Sequence, residues 1–381
     1  MNKFVKSVLA LGITSALSLS IAHAAKYEVI DKGSIDIVKN SYSQQENNQS
    51  QMAISGTGLY NFPIQFQYFD EAAFDSVVNL ANLTHENVFG INNIENEAAL
   101  RAGTPTANDL YWAVAFLKDR GKSNLKQLYQ PVGDVVAMRN LTGLAGDTKD
   151  FTVFDENFPD TDTLTRSTVD YVSGITNDGW IYGNASAPYK ATPFTDDDGV
   201  EKVYWVREFT TRAYFSPDAG ETIIELKPPT ENDDVAENLR FGGESGIYDM
   251  SESLYAVGFA STSITQKYID FITRTTDNGC ADPELLKTIP VEVCVQTVIE
   301  DIYNTEAIKW TIDADGIVAS EVLGHLVTPH EDDESELLNY AQAINNNGVA
   351  VGFAHGWWDE KETEPSKNER RNFYAVVYKN G

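Results

Sequence analysis

Histidines, cysteines and a surplus of carboxylates are the residues of this chain with chemistry to offer. Beyond the first 24 positions the histidines are His85, His325, His330 and His355. His85-Glu86 lacks a second His four residues after the first, so the helical zinc-protease motif is not formed. His330 sits beside Glu331, Asp332 and Asp333 and reads as part of a solvated loop. His355 precedes Gly356, Trp357 and Trp358. A His beside two Trp can line a ligand groove, because indole faces attract sugars and cations. The competing reading packs both Trp residues between neighbouring sheets. Asp196-Asp197-Asp198-Gly199 and Asp313-Ala314-Asp315-Gly316 open like calcium loops. Asp196, Asp198, Asp313 and Asp315 are therefore candidate calcium ligands. Both stretches lack the rest of the loop and its distal bidentate Glu, which favours plain β-turns. No other cofactor is indicated.

The remaining signals for catalysis are thin. A glycosidase needs two carboxylates at a set separation, and 57 acidic residues offer too many pairs to select one. Gly243-Glu244-Ser245-Gly246 lacks the spacing of a nucleophile elbow. Ser123-Asn124-Leu125-Lys126 matches S-x-x-K without a Lys-Thr-Gly partner. Neither a phosphate-binding loop nor a dinucleotide fingerprint is present. The chain reads as leaning away from an enzyme.

Composition and the N-terminus set the compartment. Lys3 and Lys6 precede an apolar run from Val8 to Ile21, followed by Ala22-His23-Ala24. That is a signal peptide over residues 1–24 with an A-x-A cleavage site. It predicts export by the general secretory route to the periplasm or beyond. The run is too short to span a membrane, and no later stretch approaches eighteen apolar residues. Without the two leader lysines, 26 basic residues face 57 acidic ones, a net charge of −31. Such a charge repels nucleic acid and anionic membranes. Cys280 and Cys294 are the only cysteines. In an exported chain a local pair reads as a disulfide. Closing a loop of about 15 residues stabilises by roughly 3 kcal/mol in the chain-entropy model.

A repeat organises the remainder. Ala343-Ile344-Asn345-Asn346-Asn347-Gly348-Val349-Ala350-Val351-Gly352-Phe353 carries an apolar strand end, an Asn-Gly turn and a second Gly four residues on. Asn-Gly predicts a type I′ hairpin, whose two central residues need φ > 0. A returning strand, Asn372 to Tyr378, follows after a polar loop. The unit recurs at Ile175 to Gly183 with return strand Arg212 to Phe215, and at Met250 to Ala260 with return strand Ala307 to Trp310. A fainter copy is read at Ile54 to Tyr60. The residues Ile344, Asn345, Gly348 and Gly352, then Tyr374-Ala375-Val376 through Gly381, resemble the HAF-type repeat of secreted bacterial proteins. Tyr374, Arg212 and Glu306 stand where that repeat has His. As a whole the chain resembles an uncharacterised domain-of-unknown-function family of secreted gamma-proteobacterial proteins. The resemblance implies a propeller-like β fold and an exported location, and no activity.

Between the units the reading is coarser. Tyr27–Ile30, Ser34–Val38 and Ile64–Phe69 read as strands, and Ser41–Gln51 as a polar loop. Residues 70–130 break the β pattern. Thr106-x-x-Asp109 is an N-capping signal, after which Leu110, Ala113, Val114 and Leu117 share a helical face. Phe74–Leu83 and Ser123–Tyr129 read as further helices. The expectation is a mainly β protein over residues 25–381: antiparallel, propeller-like repeat sheets with one small helical insertion at about 70–130. Gly381 falls where the repeat calls for another strand, so the β domain reads as incomplete at its C-terminal side. The function expected is non-catalytic binding or envelope association, with a glycan, peptide or envelope component as partner. A polysaccharide-active hydrolase or lyase, and a structural piece of a longer repeat protein, stay open as alternatives.

Overall fold

The computed structural model describes residues 38–57, 64–123, 128–133, 135–158, 163–229, 243–298, 303–313, 316, 318–324, 338–357 and 371–379. These residues are mainly β, in small antiparallel sheets. Four of the sheets form a series. Sheet 1 holds β1 (Asn40–Glu46), β2 (Met52–Thr57), β3 (Val135–Asn140) and β4 (Thr148–Phe151). The hairpin β5 (Asp155–Phe158) and β6 (Thr163–Arg166) then leads to sheet 2: β7 (Asp170–Ile175), β8 (Ile181–Ala185), β11 (Arg212–Ser216) and β12 (Ile224–Leu226). A second hairpin, β9 (Lys190–Thr195) and β10 (Glu201–Val206), is inserted inside sheet 2. Sheet 3 holds β13 (Ser245–Met250), β14 (Tyr255–Ile264), β15 (Tyr303–Ile312) and β16 (Val318–Val322). Sheet 4 holds β17 (Asn339–Ile344), β18 (Ala350–Trp357) and β19 (Arg371–Tyr378). In each sheet the strands lie side by side in chain order.

The first hairpin of every sheet has the same loop. The carbonyls of Asn47, Thr176, Ser251 and Asn345 accept the N–H groups of Ser50, Gly179, Leu254 and Gly348 at 3.0 Å each. Those four donors have φ of 62°, 86°, 60° and 73°. The loop-opening side chain then accepts the N–H four residues on: Gln51 to Asn47 Oδ1, Trp180 to Thr176 Oγ1, Tyr255 to Ser251 Oγ and Val349 to Asn345 Oδ1. Only Gly348 has positive φ in the 345–349 loop. The type I′ expectation is thus corrected: one left-handed residue closes each loop, where type I′ needs two.

The second Gly also has a physical cause. Each leading strand carries a one-residue bulge, between Ser43 and Gln45, Val172 and Gly174, Ile247 and Asp249, and Ala341 and Ala343. Ile54, Gly183, Gly258 and Gly352 lie opposite the residue before it. A Cβ on Gly183 would stand 2.1 Å from the Tyr171 carbonyl oxygen, and one on Gly258 or Gly352 only 1.8 Å from that of Gly246 or Tyr340. The bulge pushes a carbonyl over the facing strand, and Gly leaves room for it. The register also corrects the first repeat. Its loop is Asn47–Gln51, and Ile54 occupies the second-Gly position. The expected polar loop at 41–51 is largely strand β1, exposed along almost its whole length. An edge strand with solvated side chains needs no apolar residues to hold its ladder. The strand expected at 27–30 and, but for Val38, which is not in a strand, the one expected at 34–38 lie outside the described residues.

Among the described residues, the insertions within sheets 1, 2 and 3 all leave from one place, between the second and third strand. In sheet 1 the insertion is helical, as expected: α1 (Glu71–Thr84), α2 (Glu97–Arg101) and α3 (Ala107–Ser123). Asp70 caps α1 by accepting the Ala73 N–H, and Thr106 Oγ1 accepts the N–H of Asp109. Trp112, Ala113, Phe116 and Leu117 are the buried face of α3, rotated from the expected one; Leu110 and Val114 are only half-buried. Ile64–Phe69 is no strand. Phe66–Tyr68 forms a single 3-10 turn, with Ile64, Phe66 and Phe69 packed on the helices. Leu128–Gln130 is not helical. Helix content also extends beyond the expected 70–130, to α4 (Gln266–Thr273) and α5 (Val291–Gln296) in sheet 3. Both are short and rich in β-branched or aromatic residues, which read as strand.

The core is a stack of sheet interfaces. Ala53 and Ala137 of sheet 1 meet Val172, Ile175 and Ile181 of sheet 2. Ala213 and Phe215 of sheet 2 meet Ile247, Met250 and Trp310 of sheet 3. Val257 and Ala307 of sheet 3 meet Ala341, Ile344 and Ala350 of sheet 4. The leading strands of sheets 2, 3 and 4 each lie on the sheet before. A polar residue at the start of each ties it to that sheet or to the segment leaving it. Asp170 accepts the Val153 N–H at 3.5 Å. Ser245 Oγ accepts from Ala213 N and donates to the Leu226 carbonyl. Asn339 accepts from Ala307 N at 2.8 Å and donates to the Gly324 carbonyl at 2.6 Å.

Candidate functional site

Leading strands β1, β7, β13 and β17 are edge strands, and each neighbours the next. Their free edges therefore form one row. Two residues before the bulge, β1, β7 and β17 carry Tyr42, Tyr171 and Tyr340, and the bulged residue of β13 is Tyr248. Tyr42, Tyr171 and Tyr248 are exposed. The Tyr171 hydroxyl donates to Gln44 Oε1 at 2.7 Å, linking sheets 2 and 1. Tyr248 and Tyr340 stand with ring centroids 6.4 Å apart, linking sheets 3 and 4. Burial, aided by Tyr340, pushes the Tyr248 phenol up to about 12, so it is a neutral hydrogen-bonding group at any ordinary pH.

Behind this row the acids and amides are taken up by structure. The buried Tyr182 hydroxyl stands 3.3 Å from Gln45 Oε1 and 3.4 Å from Asp249 Oδ1. Burial first, and then Asp249, holds that phenol far above its ordinary range. Gln45 Oε1 accepts the Ile175 N–H, and Asp249 Oδ2 accepts the Ile344 N–H at 2.8 Å. One hydroxyl thus knits residues of all four sheets. At the turns, Asn177 accepts the Asn48 N–H and donates its own backbone and side-chain N–H groups to Glu252.

The residues singled out from the sequence lie apart from one another. His355 is on β18, with its ring 4.2 Å from that of Phe373. Its Nδ1 accepts the Leu338 N–H at 3.1 Å, so the neutral ring carries its proton on Nε2. Phe373 is 5.1 Å from Phe353, which is 4.9 Å from Tyr340. The ring series thus runs from the leading-strand row across sheet 4. Trp357 ends β18 opposite Arg371, and Trp358 lies outside the described residues. Asp196, Asp197 and Asp198 form the β9–β10 turn, with carboxylates within 4.8 Å of one another. Asp196 accepts the Val200 N–H and pairs with Lys202 Nζ at 2.6 Å. That lysine first, and then the Val200 N–H, draws its carboxyl below the usual range. The geometry is that of a turn with one committed acid. Asp313 opens the β15–β16 turn by accepting the Gly316 N–H; Asp315 lies outside the described residues. Cys280 and Cys294 stand with Cα atoms 5.5 Å apart and sulfurs bonded, beside α4 and α5.

Two groups, Glu244 and Asp170, carry no obvious sequence signal. Glu244, buried between sheets, accepts the N–H groups of Thr210 and Thr211 at 2.7 and 2.6 Å. Burial raises its carboxyl against those two donors. Asp170 is fully buried beside Ser167, and burial pushes it up to about 7. The tyrosine row itself has a signal, the Tyr two residues before the bulge in β1, β7 and β17 and at the bulge in β13. It is legible only once the first loop is placed at Asn47.

Among the described residues no helix is long and apolar enough to cross a membrane. No curated protein and no solved structure matches the chain. The model of the family described as "Protein of unknown function (DUF3466)" matches residues 3–375, and the chain belongs to that family.

Proposed function

We propose that this protein is an exported, non-catalytic binding module whose sheets are arranged like the blades of a β-propeller and whose row of leading strands is the binding edge. The observation that carries the reading is the row itself. It exposes Tyr42, Tyr171 and Tyr248 beside Gln44, neutral ring faces with hydroxyl and amide groups suited to an uncharged polymer such as a glycan. A net charge of −29 opposes polyanionic ligands. Up-and-down sheets in chain order, each covered by the next, support the propeller-like arrangement. The leader over residues 1–24 supports the general secretory route and a periplasmic or extracellular location. The cysteine pair agrees with an oxidising compartment. The turn-and-Gly unit supports the HAF-type, gamma-proteobacterial affiliation.

The hydrolase reading draws less support, because Asp249 and Glu252 are engaged in holding backbone N–H groups. Calcium at Asp196 and Asp198 remains a weaker proposal for the same reason. The test is thermal shift and isothermal titration against neutral oligosaccharides, peptides and envelope extracts. Binding should weaken at least tenfold in Tyr171→Ala and Tyr248→Ala. Binding that survives both changes, or turnover of an oligosaccharide, overturns the reading.

A further inference from the structure

Sheet 4 shows solvent an apolar face whose counterparts are covered in the other three sheets. On it Val351, Phe353 and His355 of β18 pair in register with Val377, Ala375 and Phe373 of β19. Val351 is 45% exposed, Phe373 57% and Val377 58%. At the register positions of Val351 and Val377 sheet 3 has Val257 and Lys309, sheet 2 has Tyr182 and Phe215, and sheet 1 has Ala53 and Arg139; all are buried but Arg139, which is half-buried. An uncovered patch of this kind in a strongly charged chain marks an interaction surface.

The three covering strands share one pattern. They read Asp170-x-Val172-x-x-Ile175, Ser245-x-Ile247-x-x-Met250 and Asn339-x-Ala341-x-x-Ile344. The first residue makes the polar tie to the sheet below or the segment leaving it, and the two apolar residues enter the interface. The bulge sets the odd spacing between them.

We infer that the open face of sheet 4 is a docking surface for a further sheet of this same repeat, supplied by a partner whose leading strand reads polar-x-aliphatic-x-x-aliphatic. A second copy of this chain does not fit among the described residues. Its β7, β13 and β17 are already engaged. Its β1 reads Ser41-x-Ser43-x-x-Glu46, which would bring hydroxyls and a carboxylate into an apolar contact. Two sheet-4 faces laid together would supply neither a bulged strand nor a polar tie. The inference is independent of the ligand reading above.

The test extends the full chain at its C-terminus with a second copy of residues 338–379, since tethering supplies a high effective concentration. Val377→Cys is made in the first copy only, and its alkylation rate is followed; Phe373→Cys serves if that variant melts without cooperativity. Alkylation should slow at least tenfold relative to the unextended chain. It should recover when Ala341→Glu and Ile344→Glu are made in the appended copy alone. Equal rates in extended and unextended chains overturn the inference. So does equal protection by both extensions. Protection in the unextended chain with a dimer mass by light scattering would assign the face to a second copy instead, and overturns it too.

Discussion

In sheet 1 the leading strand carries Ser41, Ser43 and Glu46, all exposed; in sheet 4 the same positions hold Asn339, Ala341 and Ile344, all buried. Hairpin loop, bulge and strand order are common to both sheets. What differs is the neighbour each leading strand meets. The comparison shows that loop and bulge chemistry builds the unit, while three side chains of one strand decide whether it stacks. Stacked-repeat proteins generally need a polar terminal unit for solubility, and β1 supplies one.

The largest effect is expected from erasing that difference. Ser43→Val with Glu46→Ile gives β1 the pattern of β7. Because the open face of sheet 4 is not the same patch as β1, association would be head-to-tail and unclosed. Light scattering should show mass growing with concentration; an unchanged mass would mean that the strand pattern does not govern stacking.

The polar ties sharpen the comparison through pH. Asp170 holds the Val153 N–H in the segment between sheets 1 and 2, whereas Asn339 joins sheets 3 and 4 and cannot titrate. With its folded value raised to about 7, Asp170 keeps its proton after the unfolded chain has lost it near pH 4. Stability contributed by the protonated form is therefore lost as pH rises from about 4 through 7, by an amount on the order of 4 kcal/mol. Denaturation across that range should show the decline in the wild type and a flatter profile in Asp170→Asn. Hydrogen exchange should place the loosening between sheets 1 and 2 and spare sheets 3 and 4.

The bulge gives the next test. Gly352→Ala drives a Cβ into the Tyr340 carbonyl and should cost about 3 kcal/mol. At the matching place in sheet 1, Ile54→Ala should also destabilise, by about 2–4 kcal/mol, but through lost packing. Urea melts of both would read the size. A Gly352→Ala loss below about 1 kcal/mol would show that the bulged strand yields. The loops give the smallest effect. Asn47→Ala and Asn345→Ala each lose a side-chain acceptor for the turn and should cost about 1 kcal/mol. Equal losses would confirm that this element is indifferent to its place in the stack.

Much of this plan was legible in the residues. Gly183, Gly258 and Gly352 marked the hairpins, and Thr106 with Asp109 marked α3. The first unit was misplaced because Ser50 takes the left-handed position that Gly179 and Gly348 hold elsewhere, and Ile54 replaces the second Gly. Nothing apolar in Asn40–Glu46 announced a strand, since the partner that pairs with it lies on one side only. Helices α4 and α5 carry no helical signal, because Tyr268, Ile269, Phe271 and Ile272 in α4 and Val291, Val293 and Val295 in α5 favour strands locally; the α4 residues and Val295 are held by packing around the Cys280–Cys294 pair, and Val293 by Tyr204 and Val206. Of the candidate site, His355 was visible beside its tryptophans, whereas the tyrosine row needed the bulge register. That register is a property of paired strands, and no single segment displays it.

Placing the helical insertion of sheet 1 between its second and third strands also has a kinetic consequence. The β1–β2 hairpin closes across five residues, but β2 meets β3 only when Gly56 finds Val136, after the helical segment has been made. Sheet 4 needs only Gly352 to find Val376. Loop closure grows slower with separation, so the solvated first sheet should be the last of the two to gain its third strand once the chain is complete. During synthesis its hairpin would wait, with β1 polar and the apolar Met52, Ala53 and Ile54 of β2 still uncovered, while the helices fold.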